Sequence, residues 1–226
     1  MMIQHINLFP LYLSFKVALI STMLCIIVGM PLSYCLARKQ NHVSDFFESL
    51  TNLPIVLPPT VLGYYILVLL GRQSPVGRFL EDRFDIMLVF NQTGAVIAST
   101  IVALPYIIKS SRVALSGINS DYIHAARILG RSEINIFFTI IVPIAWPGIF
   151  AGISMAFVRA LGDFGATLMV AGSIPDKTLT MSIAIYDALQ AGNEDMANSM
   201  VFIMTIIAVS VLFVVNRLEK KLHRWE

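Results

Sequence analysis

Hydrophobic positions fall in long blocks, and polar residues are confined to short gaps between them. Val17–Leu36 carries no charge and ends at Arg38 and Lys39, while Lys16 lies at its other end, where its amine can reach toward the interface. Leu50–Leu70 is a second uncharged run, with Pro54, Pro58, Pro59 and Gly63 deforming its start. Ile86–Ile108 is a third, with Gln92 and Thr93 near its start and Lys109 just past its end. Residues 134–158 are also uncharged, but Pro143 and Pro147 interrupt them, so the fourth span is predicted at 146–171, which takes in Arg159 and Asp163. Ser199–Val215 is the fifth. Runs of about 17–25 apolar residues are what a helix needs to cross the hydrocarbon. Residues 178–190 are too short to cross and are expected to form an interfacial or re-entrant helix.

Composition agrees with the blocks. The chain is 57% hydrophobic and only 13% charged, about half the charge of a soluble domain. Cations set the orientation. With the N-terminus outside, Arg38, Lys39, Lys109, Arg112, Arg127, Arg131, Arg217, Lys220, Lys221 and Arg224 fall inside, against Arg72, Arg78, Arg83 and Lys177 outside. That asymmetry predicts an all-α integral membrane protein with five transmembrane helices, N-out and C-in. Met1–Pro10 has no positive charge and no small-x-small site follows, so the first span is expected to be retained. The eleven residues after Val215 leave no room for a folded regulatory domain, no internal repeat is visible, and 1–226 is expected to be one transmembrane domain.

Catalytic patterns are missing. There is no Gly-x4-Gly-Lys-Ser/Thr loop, HExxH, CxxC or nucleophile elbow. Cys25 and Cys35 are ten positions apart on one predicted helix, about 15 Å of rise, too far to bridge. They read as small hydrophobes rather than redox or metal groups. His5, His42 and His223 lie in terminal or loop segments, and His124 lies in a polar helix. The net charge of +2 brings no basic stripe for nucleic acid.

Two polar constellations remain. Residues 121–130 read as a short polar helix, capped at its start by Asn119, Ser120 or Asp121 and ended by Gly130 at the left-handed C′ position. Ser132 can cap the next helix, with Glu133 in its first turn. Either this helix docks a partner, its Ala125-Ala126 pair permitting close approach, or it lies amphipathic on the membrane. Arg159 and Asp163 are four apart inside a span, flanked by Gly162 and Gly165. They either neutralise each other and fix helix packing, or Arg159 offers charge and donors to an anionic cargo.

Ala125-Ala126, Gly130, Ile140 and Pro143 keep the spacing of the EAA loop, and the segment resembles that loop of bacterial ABC-importer permeases. His124 stands where Glu is usual and Val142 where Leu is usual. Arg159–Thr167 (Arg-Ala-Leu-Gly-Asp-Phe-Gly-Ala-Thr, with Asp163 for the usual Glu) resembles a segment shared by the molybdate and sulfate permeases of that family, while Leu57–Tyr65 and Ala171–Thr178 continuing to Ala184–Ala188 are similar to its molybdate branch. The resemblance runs from about Ser14 to Val215. It implies an ABC importer permease (MetI-like) fold with a cytoplasmic coupling helix in the loop 119–143, in the bacterial cell inner membrane. It implies that Asp121, Tyr122, His124, Ala125, Ala126, Arg127, Leu129 and Gly130 couple to a separate ATPase, and that Pro58, Pro59, Arg159, Gly162, Asp163 and Gly165 border the pathway. The implied partners are a second copy of the chain, two cytoplasmic ABC ATPase subunits that use ATP and Mg, a periplasmic molybdate-binding protein, and membrane lipid. No catalytic residue, metal or cofactor is expected on this chain. Molybdate and tungstate stay open as cargo, a related sulfate or tungstate importer is the alternative, and an ion-coupled secondary transporter would need a coupling site and repeats that are not evident.

Overall fold

The computed structural model describes residues 8–38 and 41–222, and among these there is no strand. The readings placed on Met1–Asn7, Lys39, His223 and Arg224 lie outside the described residues. In chain order the helices are α1 Phe9–Arg38, α2 His42–Val56, α3 Pro59–Leu70, α4 Pro75–Phe84, α5 Gln92–Ser116 and α6 Ser120–Ile128. They continue with α7 Glu133–Ile136, a π-helical turn Phe137–Ile141, α8 Val142–Leu161, α9 Gly165–Ala171, α10 Met181–Gln190 and α11 Glu194–Leu222. Among the described residues, four helical stretches are long and apolar enough to cross a membrane: α1, α5, Glu133–Leu161 and α11. The pair α2–α3, bent by 114° at Leu57-Pro58, makes a fifth if counted as one span.

Helix ends differ from the sequence reading in instructive ways. The first span begins at Phe9 rather than 17, because the mostly apolar Phe9–Phe15 continues the helix past Lys16, and the last runs over Glu194–Leu222 rather than 199–215, because its polar flanks stay helical. Leu50–Leu70 is two helices rather than one, since Pro58 and Pro59 supply no N–H to continue α2. Residues 86–91 lie outside α5, whose cap is Asn91, with its side-chain oxygen accepting from Gly94 N–H. Pro143 and Pro147 do not break the fourth span. The helix runs through from Glu133 to Leu161, and the π turn just ahead of Pro143 widens the ladder where the proline N–H is missing. The interruption falls later, at Gly162–Phe164.

The bundle is built around α5. Lys16 donates to Gln92, Ser21 to the Val96 carbonyl and Cys25 to the Thr100 carbonyl, offsets of 76, 75 and 75 positions that make α1 and α5 parallel. Ser110 donates to the Gly148 carbonyl while Ser99 meets Thr167, so α8 and α9 run antiparallel to α5. Small residues set the spacing. A methyl group built on Gly148 would lie 2.5 Å from Ala114 Cβ, and one on Gly152 3.2 Å from the Ile107 backbone. Ala18, Cys25, Ala103, Ile107, Ile108, Ala156 and Ala160 fill the seam between the three helices. The short helix read at 178–190 is α10, tied to α1 by Met181 N–H donating to Ser14 Oγ at 2.8 Å.

Polarity along the bundle is consistent. Lys16, Gln92 and Lys177 meet at one end, where the Gln92 amide also donates to the Lys177 carbonyl. Arg38, Arg127 and Glu133 meet at the other.

α3 lies directly against α9. A methyl group on Gly63 would stand 2.7 Å from Met169 Cβ and 3.0 Å from the Ala166 backbone. Gly63→Val should therefore part these two helices and lower the thermal midpoint of the detergent-solubilised protein, by the equivalent of about 1–3 kcal/mol. Gly162→Ala, which would meet only its own helix's Val158 carbonyl at 3.6 Å, is the control expected to stay within about 0.5 kcal/mol of wild type. An unchanged midpoint for Gly63→Val would contradict the α3–α9 contact.

Candidate functional site

The short polar helix α6 closes in local geometry. The Asn119 side chain accepts from Asp121 N–H at 2.9 Å, so the cap is Asn119 rather than Ser120 or Asp121. At the other end Gly130 has φ +75, Gly130 N–H donates to the Arg127 carbonyl and Arg131 N–H to the Ala126 carbonyl. That pattern is a Schellman end with Gly130 at C′. Nothing lies within 4 Å of the position a Gly130 methyl would take, so glycine is needed there for its backbone, not for room.

The faces of α6 are unequal. Ala126 is buried with Leu115, Ile136, Ala145 and Ile149, so it gives close approach to this chain and not to a partner, unlike the paired role read for Ala125-Ala126. Asp121, Tyr122, His124, Ala125, Arg127, Leu129 and Gly130 face outward. Ile128 and Leu129 are 87% and 80% exposed.

Glu133 anchors this unit, and sequence reasoning gave it only a first-turn role. Its carboxylate accepts from Arg127 Nε at 2.6 Å and Nη2 at 3.1 Å, and from Arg38 Nη2 at 3.2 Å. The Glu133 hydrogen bond is the main reason the exposed Arg127 guanidinium is held above its ordinary pKa. One carboxylate thus ties α6 to the end of α1 and to the start of the α7–α8 stretch. No short-range pattern links residues 38, 127 and 133, and only the packing brings Arg38 to the other two.

The second constellation lies where two helix breaks meet. A methyl group on Gly165 would stand 3.1 Å from Pro59 Cβ and 3.3 Å from Thr60 Cγ2, so the Leu57-Pro58 break touches the Gly162–Phe164 break. Arg159 Nη1 donates to Asp163 Oδ1 at 3.4 Å, which places the predicted pair. Asp163 has a second task. Its Oδ2 accepts from Thr167 N–H at 3.0 Å and from the Thr167 hydroxyl at 2.6 Å, so it caps the first turn of α9. Thr167 Oγ1 in turn lies 3.2 Å from Ser99 Oγ on α5. The Asp163 side chain is 1% exposed and that of Arg159 25%, so the carboxylate is sealed in while the guanidinium borders a groove of about 470 Å³ shared with Tyr106, Ser154 and Asn216. An acid four residues before a threonine, just past a glycine, is the sequence signal for that cap.

The fold and these positions compare directly with known proteins. A family model described as "Binding-protein-dependent transport system inner membrane component" matches residues 14–225. The chain belongs to that family. It is accordingly a non-catalytic, multi-pass inner-membrane permease component. The permease is 34% identical over 215 residues to the molybdenum transport system permease protein ModB of Haemophilus influenzae (strain ATCC 51907 / DSM 11121 / KW20 / Rd), covering 93% of this chain and 94% of that protein. It is 36% identical over 203 residues to the protein of the same name in Escherichia coli (strain K12), covering 89% of each. A solved structure of the MetNI methionine ABC transporter in an inward-facing conformation has a chain that superposes with TM-score 0.74 at 15% identity, over 98% of this permease and 99% of that chain. At that identity the likeness concerns the fold.

Two outcomes test the site. Asp163→Asn keeps an acceptor for Thr167 but strips Arg159 of its carboxylate, whereas Asp163→Ala loses both. The alanine variant should melt lower than the asparagine variant by the equivalent of about 1 kcal/mol, and Arg159→Met should restore part of what Asp163→Asn loses. Equal midpoints for Asn and Ala would remove the cap. At the other end, Glu133→Gln should speed amide hydrogen exchange across 120–131 without changing exchange in α5; unchanged exchange there would show that the two arginines do not hold α6.

Proposed function

We propose that this chain is the permease of an ATP-driven importer that carries molybdate inward across the bacterial inner membrane. The identity with proteins named as molybdenum permeases, spread over about nine-tenths of the chain, is the observation that carries the cargo. It works as one permease domain over residues 1–226 and as a homodimer, with two cytoplasmic ABC ATPase subunits that use ATP and Mg. A periplasmic molybdate-binding protein delivers the anion. Five spans are too few to enclose a gated path, and a twofold pair doubles them. Support for a second copy comes from α11, which buries few of its residues within this chain, and from the outward Tyr64 and Tyr65 of α3.

Coupling belongs to α6. Tyr122, His124, Ala125, Leu129 and Gly130 form its outward face together with Asp121 and Arg127, and the glycine-ended helix offers the ATPase a fixed knob. The pathway borders the touching breaks, where Pro58, Pro59, Gly162 and Gly165 interrupt two helices and Arg159 supplies positive charge beside the sealed Asp163. A dianion passing there meets a cation already oriented by a carboxylate.

Uptake of labelled molybdate, with sulfate and tungstate as competitors, in cells with and without this chain tests the cargo. Tungstate should compete and sulfate should not. Sulfate competition equal to that of molybdate would overturn the assignment. Gly130→Val should reduce molybdate uptake at least tenfold with the protein still inserted, because a β-branched residue resists φ near +75 and deforms the docking end of α6. Gly130→Asn, which tolerates that conformation, should retain most uptake. Normal uptake by the valine variant would exclude α6 as the docking helix.

A further inference from the structure

A groove of about 600 Å³ opens between α1 and the start of the α7–α8 stretch. Met30, Pro31, Phe137, Phe138 and Val142 make its walls, and Arg38 and Glu133 stand at one end. Two aromatic contacts stiffen it: Tyr34 against Phe137 at 5.0 Å and Phe137 against Phe138 at 5.0 Å, both edge-on. The π turn Phe137–Ile141 brings these two phenylalanines into place.

Charge at the polar end does not balance. Arg38 and Arg127 both pair with the single carboxylate of Glu133, which leaves one positive charge over. Arg38 spends Nη2 on Glu133 and rests its guanidinium 4.5 Å above the Tyr34 ring, with other N–H donors directed elsewhere. The larger groove at the opposite end of the bundle, about 1030 Å³ beside Leu67 and Phe90, lacks this surplus, because Arg72 there is matched by Glu81.

We propose that the groove between α1 and the π turn binds an anionic phospholipid of the leaflet at the α6 end. One acyl chain lies along Met30, Phe138 and Val142, and the phosphate sits on Arg38. A long apolar trough closed by an unbalanced guanidinium at headgroup level matches a phospholipid's own division into chain and charge. A zwitterionic lipid would bring the same phosphate together with its own cation, so it would fill the trough and leave the site's net positive charge unchanged.

The test uses the purified full-length chain in detergent with either dioleoyl phosphatidylglycerol or dioleoyl phosphatidylcholine, read by native mass spectrometry. Phosphatidylglycerol should be retained at least about fivefold better, the factor that one basic contact near a membrane surface supplies. Arg38→Gln should erase the preference, and Val142→Trp, which fills the trough, should lower retention of both lipids. Arg72→Gln at the opposite end should change neither. Melting curves identify any variant that has lost its fold, and Arg38→Lys, which keeps the charge, then serves in place of Arg38→Gln and should keep the preference. Equal retention of the two lipids by wild type would overturn the proposal, as would a preference that survives Arg38→Gln or retention that Val142→Trp leaves unchanged. So would displacement of bound lipid on formation of a second-copy contact over this groove.

Discussion

Close approach of α5 to α1 on one side and to α8 on the other is the constraint the remaining helices obey. Lipid is as apolar as the helices themselves, so burying leucine against leucine gives little drive for association in the membrane. Contact has to come from fit and from polar links. Gly29, Gly148 and Gly152 let side chains of α5 reach the neighbouring backbones, and Ser21, Cys25 and Ser110 spend their hydrogens on carbonyls of the facing helix. These links fix both direction and register, so the ends of all three helices come out at defined heights.

Given that trio, two breaks can be tolerated. An open turn inside an apolar bundle exposes N–H groups that lipid cannot satisfy. α3 lessens the problem by starting at Pro59 with Pro58 as its cap, neither of which has an N–H to satisfy. α9 starts at Gly165 and uses Asp163 instead, with Ser99 of α5 completing the chain through Thr167. Asp163 is thus structural through one oxygen and electrostatic through the other, so a choice between packing and cargo guidance is too coarse for this residue. Its oxygen toward Thr167 is sealed, while Arg159, held by the other oxygen, keeps a groove-facing side.

Much of this was legible in the sequence, for local reasons. Blocks without charge, the Gly130 stop, the Ser132 cap and the Arg159–Asp163 spacing depend only on residues a few positions apart. The helix limits were less legible. Pro143 reads as a break, and whether a proline ends a helix depends on whether the ladder can widen ahead of it, which here it does over Phe137–Ile141. The 114° bend at Leu57-Pro58 was visible only as a deformed start, because the angle is set by what α2 and α3 pack against, α5 and α9. The ion pairs of Glu133, beyond its first-turn place, and the inward turn of Ala126 were hidden for the same reason. Arg38 reaches Glu133 across 95 positions, and Ala126 turns inward to a cluster drawn from α5, α7 and α8.

The same rod connects the two constellations. Glu133 and Leu161 are the first and last residues of one continuous helical stretch, so Glu133, which holds α6, and Asp163, two residues past its end, are fixed to the ends of a single body. Its π turn is a place of altered hydrogen bonding, but the aromatic contacts of Phe137 with Tyr34 and Phe138 brace that turn against α1. A push on α6 therefore has little compliance to dissipate it before Gly162–Phe164. There the rod ends, glycines flank the break, and α3 touches through Pro59. If α6 docks the ATPase as proposed, motion delivered there would be expressed where two interrupted helices meet, not along the tightly packed seam of α5, whose small residues leave the least room to move.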